Sequence, residues 1–485
     1  MARIAELFFS PSFIIYTSLL FLISNTVVFV LSTLRPKAFP PGPRGLPGLG
    51  NLLQVDRTFP FLTYGAWAKI YGNDTPIGVK KGASNVVVLN SARLVRELIE
   101  RRGAVYSDRP WQFMNNTWIF KDDLRAAIFQ NSSPWLTRWR REFNNNFGTA
   151  AITKLHPVYE AEAARLLVKL LESPTATGKD LESILVCWLI SVPCLGVCGR
   201  RPDYMGDHGF TIKEFRYCID QYAALVAPNV RDLFPVLRYV PGLFGLAEWK
   251  ERALAFSILL MVLAKYPEVQ QRVRNEVLEV LGGATPKAAD VPSLKYTEAF
   301  WNEVHRWRPV APQAIPHAPS QDDVYNGHRI PKGTAVVMNV WNIHHSEEDY
   351  EEPEKFIPER FLRHPFGMRP DQAHDPAQME ASGSRVTYDF GAGRRICPGM
   401  HSAKQSLLLG LAKIVWAFDI LPLKGKELDL SLETGFVQEV ALHPKNLDVV
   451  LKLRNGRVKK DIMDHYYQTY EAEAKVMGWE GGLYK

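Results

Sequence analysis

Cys397 is the residue best placed for chemistry. It lies in Phe390-Gly391-Ala392-Gly393-Arg394-Arg395-Ile396-Cys397-Pro398-Gly399, which reads F-x-x-G-x-R-x-C-x-G. The thiolate is the form of cysteine that attacks or ligates a metal, and a helix N-terminus favours it through free N–H groups and a positive dipole end. Pro398 suits the first turn of a helix, since proline has no N–H to leave unpaired there. The largely apolar run Ser402 to Ala417 reads as that helix. Gly393 and Gly399 allow close backbone approach to a ligand or a positive φ. An inert buried cysteine beside a glycine turn is the alternative reading.

A second constellation lies upstream. Glu303-Val304-His305-Arg306 places a carboxylate and a guanidinium three residues apart, on one helical face. Alone this is a weak signal, because such pairs are usually surface salt bridges. Pro358-Glu359-Arg360-Phe361 follows, and the cysteine loop comes after it.

With all five fixed positions present, the loop resembles the haem-ligand loop of the cytochrome P-450 superfamily. E-x-x-R, then P-E-R-F, then the loop follow in that family's order. The resemblance implies haem b as cofactor, with the Cys397 thiolate as fifth ligand to iron. A thiolate pushes electron density onto iron and favours O–O cleavage. It implies that Phe390 shields the sulfur, that Arg395 pairs with a haem propionate, and that Glu303, Arg306 and Arg360 form a buried network behind the loop. His317 falls at a strand position that serves the propionates in this family; a solvated loop histidine is the alternative. The family's W-x-x-x-R helix departs from pattern here. Trp139 stands four residues after Trp135 and Phe143 four after Trp139. Arg140 is nominated in place of the arginine, and both tryptophans read equally as plain core. The run Asn302 to Val310 resembles fungal microsomal members of the O-methylsterigmatocystin oxidoreductase type, which tailor secondary metabolites.

One expected element is missing. The family activates oxygen on a long helix carrying A/G-G-x-D/E-T, where the acid and threonine relay protons. That helix belongs a few dozen residues before Glu303, yet no threonine lies between Thr211 and Thr285. The run Ala253 to Tyr266 looks like the end of it. The layout predicts that several dozen residues are absent between Trp249 and Ala255, with the loss of helices over the distal side of the haem. A wrongly spliced gene model, a truncated paralogue or pseudogene, and a shortened protein folding some other way all account for this.

The remaining chain must position these groups. Ala92 to Arg101, Pro157 to Leu171, Val269 to Val280 and Tyr296 to Trp307 have helical spacing, and Val86 to Leu89, Ala335 to Val340 and Leu447 to Leu453 read as strands. The pattern reads as mainly α with small β-sheets; the resemblance implies the cytochrome P-450 fold, here with truncated distal helices and one N-terminal transmembrane helix. The segment Phe13 to Leu31 is uncharged and close to the ~20 residues a spanning helix needs. Arg35, Lys37 and Arg44 follow it, which by the positive-inside rule leaves the bulk of the chain in the cytosol. The expected organisation is a membrane anchor over 1–36, a proline-stiffened hinge over 37–50 and one catalytic domain over 51–485. Sequons at Asn73, Asn115 and Asn131 should carry no glycan in that topology.

Composition excludes other classes. The 46% hydrophobic content gives ample core for one large domain, and a net charge of +7 over 485 residues is mild and spread out, with no nucleic-acid stripe. Five cysteines at irregular spacing argue for a reducing compartment rather than a disulfide framework. Cys194 and Cys198 have no partners at metal-ligand spacing. The tail Gly456 to Lys485 has no assigned role.

The expected function is a haem-thiolate monooxygenase on the endoplasmic-reticulum membrane, with its catalytic domain in the cytosol. It would take electrons from an NADPH-cytochrome reductase and oxidise a small apolar metabolite. Arg138, Arg140, Arg141 and Arg394 could dock the acidic reductase, or form a solvated face. The alternatives are a same-fold isomerase or dehydratase, which needs no acid–threonine pair, and an inactive haem-binding remnant. No catalytic acid or alcohol is identified.

Overall fold

The computed structural model of the protein describes residues 11–112, 116, 127–199, 201, 233–234, 256–370, 375–381, 384–438 and 441–478. The junction from Trp249 to Ala255, Cys218, Asn115, Thr117 and residues 479–485 lie outside the described residues. The chain forms two compact units, Met1–Asn131 with Ala224–Glu248 and Ile315–Asn339, and Ser132–Ala223 with Trp249–Ala314 and Val340–Lys485.

The first unit begins with helix α1 (Pro11–Ser32), apolar and long enough to cross a membrane. Its last turn is tied down. Lys80 Nζ donates to the Ser32 carbonyl at 2.8 Å, satisfying an acceptor that a helix C-terminus leaves open. Lys80 also donates to Ala83 O and Asn85 Oδ1, and burial lowers its pKa to about 8. The proline-rich hinge is not a free strut. Gly78 N–H donates to Pro41 O at 2.7 Å, and a β-carbon on Gly78 would stand 2.4 Å from Pro40 O, so only glycine lets the hinge lie against this strand. Helix α2 (Pro60–Tyr71) packs Tyr64 and Ala68 over strands β1 (Ile77–Lys81) and β2 (Ser84–Leu89). β1 and β2 are antiparallel, and β3 (Ala335–Met338) adds parallel to β2 with Val86 opposite Ala335. The chain expected to stay extended to Val340 ends its strand at Met338. The helical run expected over Ala92 to Arg101 forms, with Val95–Arg101 wound as π-helix.

The second unit is mainly helical. Ser133 accepts from Leu136 N–H at 3.1 Å, and Pro134 follows it, which starts α3 (Pro134–Phe147). Helices α4 (His156–Glu172) and α5 (Gly178–Cys198) follow. α5 also has the length and hydropathy of a membrane span, but half of that stretch is buried, as in a core helix. α6 (Phe256–Lys265) is buried along Ile258 to Ala264. α7 (Pro267–Leu281) ends at Gly282, whose φ of +58° suits glycine. α8 (Lys295–Trp307) carries Glu303 and Arg306. α9 (Met400–Ala417) follows the cysteine loop and is buried from Leu407 to Ala417. Strands β4 (Phe418–Pro422) and β5 (Val449–Leu453) pair antiparallel. The tail, unassigned in the sequence, forms α10 (Gly456–Met477), started by Asn455 accepting from Val458 N–H.

Candidate haem-thiolate site

Cys397 lies just ahead of α9. That helix begins at Met400 with Gly399 at its N-cap, so Pro398 stands outside the first turn expected for it. Gly391 and Gly393 take φ of +79° and +61°, turning the loop back so that Cys397 N–H donates to Phe390 O at 2.9 Å. The Cys397 residue is exposed. Burial of its sulfur still pushes the thiol pKa up, against the lowering pull of the Gly399 N–H, Arg140 and the Met400 N–H.

Arg140, on α3, donates through Nη2 to Ile396 O at 2.6 Å, one residue before the cysteine. Desolvation lowers its pKa, opposed by Cys397. Trp135 and Trp139 are exposed, not core, so that alternative for them fails. Trp139, Phe143 and Phe147 form a ladder along α3 with ring centroids 5.3 and 4.9 Å apart. Arg138, Arg141 and Arg394 are exposed, and Arg395 is buried.

Centred on α8, one carboxylate holds two arginines. Arg306 Nε and Nη2 donate to Glu303 Oε2 and Oε1 at 2.7 and 2.8 Å. Arg360 Nε lies 3.2 Å from Glu303 Oε1, and Ile357 N–H donates to the same oxygen at 2.8 Å. Arg306 spends its other donors on the carbonyls of His344, Pro353 and Lys355. All three charged side chains are at most 2% exposed. The bland surface-pair reading of E-x-x-R is thereby set aside.

Phe390 stacks on Trp301 and lies tilted against His305, with centroids 6.1 and 5.4 Å away. Sequence reasoning missed Asp389 and His305. Asp389 Oδ2 lies 2.5 Å from His305 Nδ1, and the carboxylate also accepts from Val310 and Ala311 N–H. The only signal was position: one residue before Phe390, and one before Arg306. His317 belongs to the first unit, where it bridges Val336 and its Nδ1 donates to Tyr106 O at 2.7 Å. It is buried, so the solvated-loop alternative does not hold.

The donor chemistry suits a haem. Among the described residues no group of three or more His, Cys, Asp or Glu could hold a metal ion, so Cys397 offers one soft donor. Gly399 leaves the flank of Sγ bare, where a β-carbon would stand 3.9 Å from it. A single exposed thiol on a glycine-lined turn fits axial ligation and not a closed structural zinc site.

The cytochrome P450 family model matches residues 40–247 and 252–451. The chain belongs to the cytochrome P450 family. It is similar to the cytochrome P450 monooxygenase grgG of a Penicillium species, 68% identical over 558 aligned positions that cover 100% of both chains. It is also similar to the cytochrome P450 monooxygenase patI of Penicillium expansum, 28% identical over 93% of this chain and 96% of that one. A third relative is yanC of Aspergillus niger, 28% identical over 84% and 88%. As a P450, the chain belongs to an enzyme family of haem-thiolate monooxygenases, with haem b as the family's cofactor. The 558 aligned positions exceed the 485 residues here, so at least 73 positions of the first relative have no counterpart in this P450. The family match also breaks between residues 247 and 252, at the junction where a missing segment was expected. Helix α10 lies beyond the matched residues.

Proposed function

We propose that this P450, with the segment expected at the 247–252 junction in place, is a membrane-anchored haem-thiolate monooxygenase of fungal secondary metabolism, with Cys397 as axial ligand. One observation carries the reading: the chain that carries the Cys397 loop also carries a wholly buried Glu303–Arg306 pair shared with Arg360. Bound haem supplies the chemistry of inserting oxygen into a C–H bond. The protein's own residues brace the fold (Glu303, Arg306, Arg360), flank the sulfur (Phe390, Gly393, Gly399), and offer a donor to a propionate (Arg395). Arg140 acts on the loop carbonyl at Ile396 as much as on any propionate. Electrons come from an NADPH-cytochrome reductase at the cytosolic face of the endoplasmic reticulum, with exposed Arg138, Arg141 and Arg394 as docking charges. The substrate is a small apolar metabolite.

The break at residues 247–252 supports a second reading for the chain in this length: a haem-binding form without the acid–threonine relay. The test compares the chain as it stands with one carrying the grgG segment inserted between Ala247 and Arg252. Both are assayed with reductase and NADPH on a panel of apolar aromatic metabolites. Oxygenation by the restored chain alone is expected. Equal oxygenation by both would show that the relay segment is dispensable, and turnover without NADPH would favour an isomerase or dehydratase.

A further inference from the structure

The start of the cysteine loop is held from two sides by histidines. His344, buried and kept neutral with its pKa lowered to about 3 by desolvation, accepts the Tyr388 N–H on Nε2 at 3.0 Å. The next residue, Asp389, pairs with His305 at 2.5 Å, and its carboxylate accepts the Ala311 and Val310 N–H groups at 2.6 and 3.1 Å. The residue after that is Phe390. Its ring rests on the His305 ring, and its carbonyl receives the Cys397 N–H. Asp389 and Phe390 are therefore fixed to α8 and the turn after it, with Tyr388 before them held by His344, and Phe390 is hydrogen-bonded to Cys397. The His305 and Asp389 side chains are 7% and 3% exposed, so the pair works where hydrogen bonds are little contested by water.

We infer that His305 and Asp389 are positioning residues for the Cys397 thiolate: the pair sets where Phe390 presents its carbonyl and ring, and so fixes the sulfur for ligation. The inference rests on Cys397 as the haem ligand. A partner that orients a ligand typically changes metal affinity by about 10–100-fold when removed. The role differs from that of Glu303, which holds backbone far along the chain.

The test uses the full chain with Asp389→Ala, His305→Phe and His305→Gln, and Cys397→Ala in parallel. His305→Phe keeps an aromatic ring beside Phe390 but has no hydrogen bond to give. His305→Gln can still donate to Asp389. Two readouts are taken: haem affinity by titration, with the thiolate character of the ferrous–carbonyl band, and the alkylation rate of Cys397 in the haem-free chain. Asp389→Ala and His305→Phe are expected to weaken haem affinity about 10-fold or more, to shift the carbonyl band toward the neutral-thiol type, and to slow alkylation. His305→Gln is expected to restore all three. Lowered melting temperature with unchanged affinity, band and alkylation in His305→Phe would overturn the inference, even where Asp389→Ala does not fold. A thiolate band surviving in Cys397→Ala would instead overturn the ligand assignment.

Discussion

Arg306 Nε lies 2.7 Å from Glu303 Oε2, with neither side chain accessible to water. Removing one charge from such a pair leaves the other buried and uncompensated, which costs about 3–5 kcal/mol. Here Glu303 also serves Arg360, so Glu303→Gln strands two cations. A loss of about 3–5 kcal/mol is expected in urea unfolding followed by tryptophan fluorescence. It is a large part of a total stability of about 5–15 kcal/mol. An unchanged midpoint would show that the network does not stabilise the fold.

The C-terminal helix makes stability depend on pH in two opposite directions. Burial lowers Lys413 to about 7, and its Nζ meets His465 Nε2 of α10 at 2.6 Å. Burial and the neighbouring Glu162 raise Glu473 to about 7, where it and Glu162 both hold Arg201. A lowered folded pKa gives stability that is present above pH 10.5 and lost as pH falls through 7. A raised one gives stability that is present below pH 4.5 and lost as pH rises through 7. Melting temperature followed against pH should lose its alkaline-side rise in Lys413→Met. Glu473→Gln should lose the fall between pH 4.5 and 7. Profiles parallel to the parent would refute these assignments.

Gly410 sits inside α9 against Trp188 of α5. A β-carbon there would lie 2.2 Å from Trp188 Cη2. Alanine gains about 1 kcal/mol of helix propensity over glycine, but overpacking costs about 1–3 kcal/mol. The clash is with a bulky ring on a buried helix, so Gly410→Ala is expected to destabilise by up to about 2 kcal/mol net. A raised urea midpoint would mean that α5 yields to the added methyl.

The transcript is expected to be longer than the chain implies. Sequencing the message across the codons for Ala247 to Arg252 should show an in-frame segment on the scale of the at least 73 unmatched positions. A message matching the chain would place the shortening in the protein itself. Reductase-supported oxygenation should then be absent.

The sequence made legible what depends on local pattern. The helices at 156–172, 267–281 and 295–307 fall within a residue or two of their expected bounds, because their apolar spacing and flanking proline or glycine act locally. The start of α9 lies two residues from the expected Ser402, and Pro398 stands before the N-cap rather than in the first turn. Helix α10 went unread because its buried face includes Glu473 and His465, polar residues whose partners Arg201 and Lys413 lie elsewhere in the chain. Asp389 went unread for the same reason: its partner is 84 residues away. Arg140 was chosen by elimination, and its bond to Ile396 O depends on tertiary packing that no spacing announces.

The most direct test of the central claim is the ferrous–carbonyl spectrum of the haem-reconstituted full chain beside its Cys397→Ala variant. A thiolate-type band in the parent, with one haem per chain, and its loss in the variant is the predicted result. The same band in both, or no stoichiometric haem in the parent, would contradict Cys397 as the ligand.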